Sequence, residues 1–243
     1  MNLQISISIF MILFLKLSIA ISPTLIHHWM IWNVGQGQWV TLVENSTCSH
    51  FDFGGEVFSL KDNRQRFLVN CKNKTNQLYL SHADFDHYSF YNFIIKNSIS
   101  ACWQIRPAEA LKKINTEIPI CPNLQQTIKI IHSDSQIQKR NDSSTVLHFE
   151  NLLIPGDSPS QKEKLWVNNI PIKNNIHILI LGHHGSQTSS SEILLSRLPQ
   201  LKMAIASSRF KKYGHPHKKV VDRLKKHHLN VIRTEDWGTI MIL

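Results

Sequence analysis

The sequence predicts a mixed α/β fold, two packed sheets flanked by helices. Three observations carry this. The first half holds many short apolar strands, the second half alternates strands with helices, and polar residues gather where strands end. At 243 residues the chain is long enough for one large domain with a proper core. No internal repeat or low-complexity tract interrupts it.

Residues 1–21 stand apart. Leu3 to Ile21 is almost wholly apolar, with Lys16 at its centre, and Ser18-Ile19-Ala20 offers a cleavage site after Ala20. A central lysine costs about 3 kcal/mol in a permanent span, so a secretory signal is the first reading. An uncleaved anchor and a buried first helix are the alternatives. Residues 22–243 form the domain. None of Cys48, Cys71, Cys102 and Cys121 lies in a CxxC pair, which excludes a zinc ribbon. In an exported chain, sequence proximity suggests Cys48 with Cys71 and Cys102 with Cys121, one of three connectivities, with free buried cysteines as the alternative. The net charge of +10 favours a polyanion; a Lys-rich, Asn-rich proteome bias accounts for the same number.

In chain order, His28 to Asn33 reads as a strand, Val34 to Gln38 as a glycine-punctuated turn and Trp39 to Val43 as its partner. Ser49 to Phe53 follows, with Asp52 near its end and Gly54-Gly55 after it. Arg66 to Asn70 reads as a weak strand and Leu78 to Ser81 as a strong one. A helix is expected over 87–97, a strand over Ile99 to Ile105 and a short helix from Pro107 to Lys113. Thr127 to Ile131 is a strand and 132–142 a loop. Ser144 to Phe149 and Leu152 to Pro155 form a hairpin about Glu150-Asn151. Ser158 to Trp166 reads as a short helix and Asn175 to Leu181 as a buried strand. Ser189 and Glu192 have capping-box spacing for a helix to about Leu198. Lys202 to Ser207 is a strand, and Pro216 suits the first turn of a helix bearing Val220, Val221 and Leu224. Asn230 to Thr234 and Thr239 to Leu243 complete the sheets.

The chemistry gathers at strand ends. Ser81-His82-Ala83-Asp84-Phe85-Asp86-His87 holds two imidazoles and two carboxylates within six positions. Such donors suit borderline and hard divalent metals, and so dense a group calls for a positive charge between its members. Asp157 ends a later strand, His183 and His184 end another, and His215 lies in the loop after the next. A lone histidine is usually a satisfied core or surface residue. Recurrence at strand C-termini is more specific, because those ends share one rim. His217, His227 and His228 read as a solvated helix face.

These motifs resemble the metallo-β-lactamase fold, and in particular the hydrolase domain of ComEC-type competence proteins. Ser81 to His87 resembles the HxHxDH motif, with Asp84 in place of the second histidine, as in the competence branch. Asn33 to Gly37 resembles that branch's DVGQG, Phe51 to Gly54 its Asp-x-Gly strand end, and Asn141 to Leu147 its NxxSxVL. Pro155 to Asp157 resembles its TGD, His183 to Ser186 its HHGS, Tyr213 to Pro216 its YGHP and Arg233 to Gly238 its RTDxxG. The likeness runs over residues 29–243. Asn33 and Gln38 depart from it, each standing where an aspartate is usual, which weakens a carboxylate contribution from the first loop.

The resemblance implies a four-layer αββα sandwich and a site for two divalent ions, Zn or Mn. His82 and Asp84 would bind one ion, Asp86 and His87 the other, with Asp157 bridging and His215 as the last ligand. Asp86, His183 and His184 are the candidate catalytic residues, with His183 or His184 close to the site as ligand, substrate contact or proton donor; Ser186, Arg209 and Lys212 are the candidate substrate contacts. Two ions about 4 Å apart would turn a bridging water into the attacking hydroxide and clamp a phosphate. Lys202 to Lys226 holds nine Lys/Arg against one Asp, and attracts a phosphodiester backbone without regard to sequence. Alternatively these lysines only solvate a helix. The expectation is an exported phosphodiesterase or nuclease, in the periplasm or at the cell surface, acting on DNA in competence or DNA processing. It would be a stand-alone module, with membrane association through residues 3–21 as a further expectation. The competing readings are hydrolysis of a lactam, thioester or phosphonate on the same fold, and a catalytically weak DNA-binding accessory.

Overall fold

The computed structural model describes residues 27–107, 110, 114, 118–122, 128–133, 140–171 and 175–243. The expected signal or anchor at 1–21 lies outside them, as does most of the helix expected over 107–113. Among the described residues, twelve strands form two six-stranded sheets. The first contains β1 (His28–Ile31), β2 (Trp39–Val43), β3 (Thr47–Phe53), β4 (Thr75–Tyr79), β5 (Ser100–Ile105) and β12 (Ile240–Ile242), in the order β12-β1-β2-β3-β4-β5. The second contains β6 (Ile128–His132), β7 (Val146–Phe149), β8 (Leu152–Ile154), β9 (Ile178–Ile180), β10 (Met203–Ala206) and β11 (Val231–Arg233), in the order β11-β10-β9-β8-β7-β6.

Side-chain alternation explains the layering. In β1, Trp29 and Ile31 face the second sheet while Met30 faces outward; in β9, Ile178 and Ile180 face the first sheet while Leu179 faces outward. Both faces of these strands are buried, so they read as continuous apolar runs. The outer face of the first sheet is covered by α1 (Val57–Asn70) and α3 (Tyr91–Asn97) through Phe67, Tyr91 and Ile94. The outer face of the second is covered by α4 (Ser160–Trp166), α5 (Glu192–Ser196) and α7 (Lys218–Lys226) through Trp166, Leu194, Val220 and Leu224. Helix, sheet, sheet and helix make four layers, as expected. Disulfides join Cys48 to Cys71 and Cys102 to Cys121, the pairing that proximity suggested. Closing loops of 23 and 19 residues, each stabilises the fold by about 3 kcal/mol.

Four local expectations are corrected. Arg66 to Asn70 is not a strand but the last turns of α1. Ser59, Asn63 and Phe67 recur at a spacing of four on its buried face, and Asn63 spends its amide on the Asn33 and Ser59 carbonyls. A face so short of apolar residues hides its period. The helix expected over 87–97 is two, α2 (Phe85–Tyr88) and α3, because the Phe90 N–H turns to the Phe53 carbonyl and links the break to β3. The helix after the HHGS loop is capped by Ser191, whose hydroxyl accepts from the Leu194 N–H, and not by Ser189, whose hydroxyl donates to the Ser158 carbonyl. Pro216 precedes the first turn of α7 rather than entering it; the cap is His217, whose Nδ1 accepts from the Lys219 N–H.

Candidate metal centre

Strands β3 and β4 run parallel, as do β8, β9 and β10, so their C-terminal ends lie on one rim. β3 delivers Asp52, β4 Ser81 and His82, β8 Asp157, β9 His183 and His184, and β10 Ser207. Two glycines bring the first loop against this rim. A Cβ on Gly54 would stand 2.5 Å from the Asp86 carbonyl, and one on Gly37 2.7 Å from it, so only hydrogen fits. The Gln38 N–H donates to the same carbonyl at 3.2 Å. The loop ending at Asp157 is held by its own N–H, which donates to the Ser144 hydroxyl.

Each of three buried histidines has its Nδ1 partnered and its Nε2 aimed at the rim. His87 Nδ1 donates to Asp52 Oδ2 at 2.7 Å. His184 Nδ1 donates to the Ser207 carbonyl at 3.2 Å. His82 Nδ1 lies 3.0 Å from the Ser81 hydroxyl, which itself donates to Asp52 Oδ2 and therefore accepts from the imidazole. These partners fix the Nδ1–H tautomer and leave three Nε2 lone pairs. The three Nε2 atoms and Asp157 Oδ1 are buried and make no hydrogen bond. His87 Nε2 lies 3.1 Å from Asp157 Oδ1, and His184 Nε2 3.2 Å from Asp86 Oδ2. Donor atoms of His82, His87 and Asp157 fall within 4.8 Å of one another, as do those of Asp86, His87 and His184. Lone pair facing lone pair in a buried site demands a cation, so these residues fit divalent metal.

The electrostatics agree. Burial alone would lower the His87 pKa, yet the charges of Asp157 and Asp52 hold it well above the ordinary value. His184 is raised against burial by Asp157 and Asp86. Burial would raise the Asp157 carboxyl, but the His87 and His184 charges hold it well below the carboxylate range. Asp86, against its own burial, is held at about 2 by its contacts with His184 and His87. The acids are thus ionised, and the rings facing them bind either protons or metal.

The remaining candidates lie around this centre. Asp84 stands with its Oδ2 3.5 Å from His82 Nε2. His183 sits at the rim with Nε2 3.6 Å from Asp157 Oδ2, its pKa lowered by burial despite that carboxylate. Both His183 and His184 adopt left-handed backbone, φ 49° and 57°, which sends one ring inward and keeps the other at the surface. His215 stacks edge-on at 6.4 Å from His183 and lies outside both donor groups. Ser186 turns its hydroxyl to Thr188. Arg209 and Lys212 both pair with Glu56 Oε1, at 2.9 and 3.2 Å. Beside His183 opens a cleft of about 580 Å³, lined by Asn141, Asp142, Ser160, Gln187 and Thr188.

Sequence reasoning gave no role to Asp52, Gln38, Gln36 or Glu56. Asp52 is the hub: Oδ1 accepts from the Ser81 N–H, and Oδ2 accepts from Ser81, His87 and Gln38. Its position before Gly54-Gly55 in a matched motif was the available signal. Gln38 does not leave a gap where an aspartate is usual; its amide donates to Asp52 at 2.7 Å, which a carboxylate could not do. Asn33 is bound through its backbone to Thr239 and Asn63.

Two sheets between helices, with this donor set at the strand ends, define a protein of the metallo-β-lactamase fold. The fold is shared with the metallo-β-lactamase fold protein YhfI of Bacillus subtilis at a TM-score of 0.55, over 89% of this chain and 99% of that one, at 11% identity. By sequence the chain resembles competence proteins: it is 35% identical over 106 residues to ComE operon protein 3 of Bacillus subtilis, and 34% identical over 90 residues to competence protein ComA of Neisseria gonorrhoeae. Those stretches cover 42% and 37% of this chain, and 13% of either relative's length. No family model matches the chain.

Proposed function

We propose that the protein is a metal-dependent phosphodiesterase that acts on DNA outside the cytoplasm, in a competence or DNA-processing setting. The observation that carries this reading is the convergence of three buried Nε2 lone pairs and Asp157 on one point. His82, His87, His184, Asp86 and Asp157 would hold two divalent ions, with Asp84 beside them. When bound, such ions supply Lewis acidity toward a phosphoryl oxygen and a more acidic water. The mixed nitrogen and oxygen set suits Mn²⁺ as well as Zn²⁺.

The protein's own groups divide the remaining work. Asp52 fixes the tautomers of His87 and, through Ser81, of His82. Asp86, ionised under all ordinary conditions, orients a water. The Arg209 N–H donates to Gln36 Oε1, which leaves the Gln36 amide to donate to His215 Nδ1 at 3.2 Å. His215 therefore accepts at Nδ1 and carries its proton on Nε2. Burial and the neighbouring His184 and His183 lower its pKa to about 4, so it stays neutral and offers an N–H to a substrate oxygen. The net charge of +10 supports a polyanionic substrate, and the two disulfides support an oxidising compartment. Among the described residues, no helix is long and apolar enough to cross a membrane.

Metal analysis of the purified protein, with cleavage of single- and double-stranded DNA measured with and without chelator, tests the reading. Chelator-sensitive cleavage restored by Mn²⁺ or Zn²⁺ is expected. A protein that binds DNA yet retains no metal and cleaves neither form sinks it.

A further inference from the structure

Among the described residues five aromatic rings are strongly exposed: Phe58, Phe85, Phe210, Tyr213 and Trp237. Scattered singly they would mean little. They are not scattered. Phe85 stands between Asp84 and Asp86, on the turn that carries the metal-centre carboxylates. The Arg209 guanidinium lies 5.0 Å over Phe58, Lys212 4.8 Å over Tyr213 and Arg233 4.9 Å over Phe210. Phe210 and Tyr213 belong to α6 (Phe210–Tyr213), and the Phe210 N–H donates to Glu235 of α8 (Thr234–Trp237), which ends in Trp237. The Arg209 N–H reaches Gln36, and Gln36 reaches His215. Phe58, Phe210 and Tyr213 thus each carry a cation, in a cluster that Gln36 links to His215 beside the metal centre.

We propose that this cluster, together with the exposed rings of Trp237 and Phe85, is a binding track for a single-stranded polynucleotide. Bases stack on Trp237, Phe58 and Phe85, while phosphates meet Arg209 and Lys212, which share the single carboxylate of Glu56, and Arg233, which pairs with Asp236 at 2.6 Å. A guanidinium over a ring extends the stacking surface to the next base, and its N–H groups beyond the one given to Glu56 or Asp236 can meet a phosphate. An unpaired strand offers both partners, because every base has a π-face and every linkage a charge. A duplex keeps its bases inside and has nothing for the rings. An anionic bilayer would have to strip the cations from three rings before burying them, so the cation-covered rings favour the strand. The track takes its direction from the phosphodiesterase reading of the adjoining centre, but stands on its own residues.

Trp237 makes the test direct. It is 75% exposed, whereas Trp29, Trp32, Trp39, Trp103 and Trp166 are buried, so stacking quenches a distinct emission. The full chain is titrated in EDTA with a short poly-dT strand, a duplex of equal length and phosphatidylglycerol vesicles. Trp237→Ala should weaken poly-dT binding about tenfold and duplex binding less than about twofold, while Trp237→Tyr keeps most of the affinity. Equal losses for strand and duplex, or an unchanged poly-dT affinity, overturn the proposal. Vesicle binding lost in Trp237→Ala with poly-dT binding intact also overturns it and assigns the surface to membrane. Selective poly-dT binding without cleavage in any metal supports the track while removing the phosphodiesterase reading. Cleavage with no effect of Trp237→Ala on binding removes the track alone.

Discussion

His50 and the group His82, His87 and His184 present the same side chain at nearly the same burial, to opposite ends. Around His50 every ring nitrogen is satisfied. Trp32 Nε1 donates to the Thr41 hydroxyl, so that hydroxyl donates onward to His50 Nδ1 at 2.8 Å; Trp39 Nε1 donates to the same nitrogen at 3.1 Å. The opposite nitrogen donates to Asn76 Oδ1 at 2.7 Å. Two donors on Nδ1 leave no room for a proton, and burial lowers the pKa to about 4 despite the Asn76 contact. At the rim each ring is satisfied only on its Nδ1 side, and the other nitrogens face each other and the carboxylates of Asp84, Asp86 and Asp157. A buried histidine therefore says little by itself. Which of its nitrogens lacks a partner, and whether several such atoms converge, separates a structural network from a metal centre.

The sharpest way to break the comparison is to remove a converging donor. Asp157→Asn should lower DNA hydrolysis by about a thousandfold or more, the several kcal/mol that metal ions contribute, and should reduce bound metal measured by elemental analysis. Persistent activity at full metal content would mean that Asp157 is no ligand. Next in size is linkage. A divalent ion at about a thousand times its Kd should stabilise the fold by about 4 kcal/mol, read as a rise in Tm that EDTA reverses. His50→Ala should leave the ion's increment unchanged while lowering the starting Tm.

The third effect isolates His50. A folded pKa of about 4 against an ordinary 6.5 means that the unfolded chain takes the proton first. The stabilisation is complete above pH 6.5 and falls away as pH drops toward 4, by about 3 kcal/mol in all. Urea unfolding in EDTA across that window should show the slope, and His50→Gln should remove its own share while leaving that of His215, which is also held at about 4. The smallest effect belongs to Asp52, which holds His87 directly and His82 through Ser81 but stands outside the centre. Asp52→Asn should weaken metal affinity about 10- to 100-fold, and a metal titration that showed no change would remove its positioning role.

Periodicity made most strands legible, because residues such as Ile178 to Ile180 are buried on both faces and read as apolar runs. Helix α1 was not legible, since its buried face uses Ser59 and Asn63. The histidines and aspartates of the site were legible as recurrent donors at strand ends. Asp52, Gln38, Gln36 and Glu56 were not, because each works through a partner between about 14 and 179 positions away.

By itself, then, the sequence determined the donor types, their order along the chain and the strands that carry them, since these follow from residue chemistry and local burial pattern. Only the tertiary structure decided which nitrogen of each ring faces the centre. That choice rests on Nδ1 acceptors supplied by Asp52, Ser81 and Ser207, two of which come to their histidines from other strands. It likewise decided that Arg209 and Lys212 converge on Glu56, and that Phe58, Phe210 and Tyr213 carry cations beside the site. A hydrogen bond between distant strands leaves no period in a sequence.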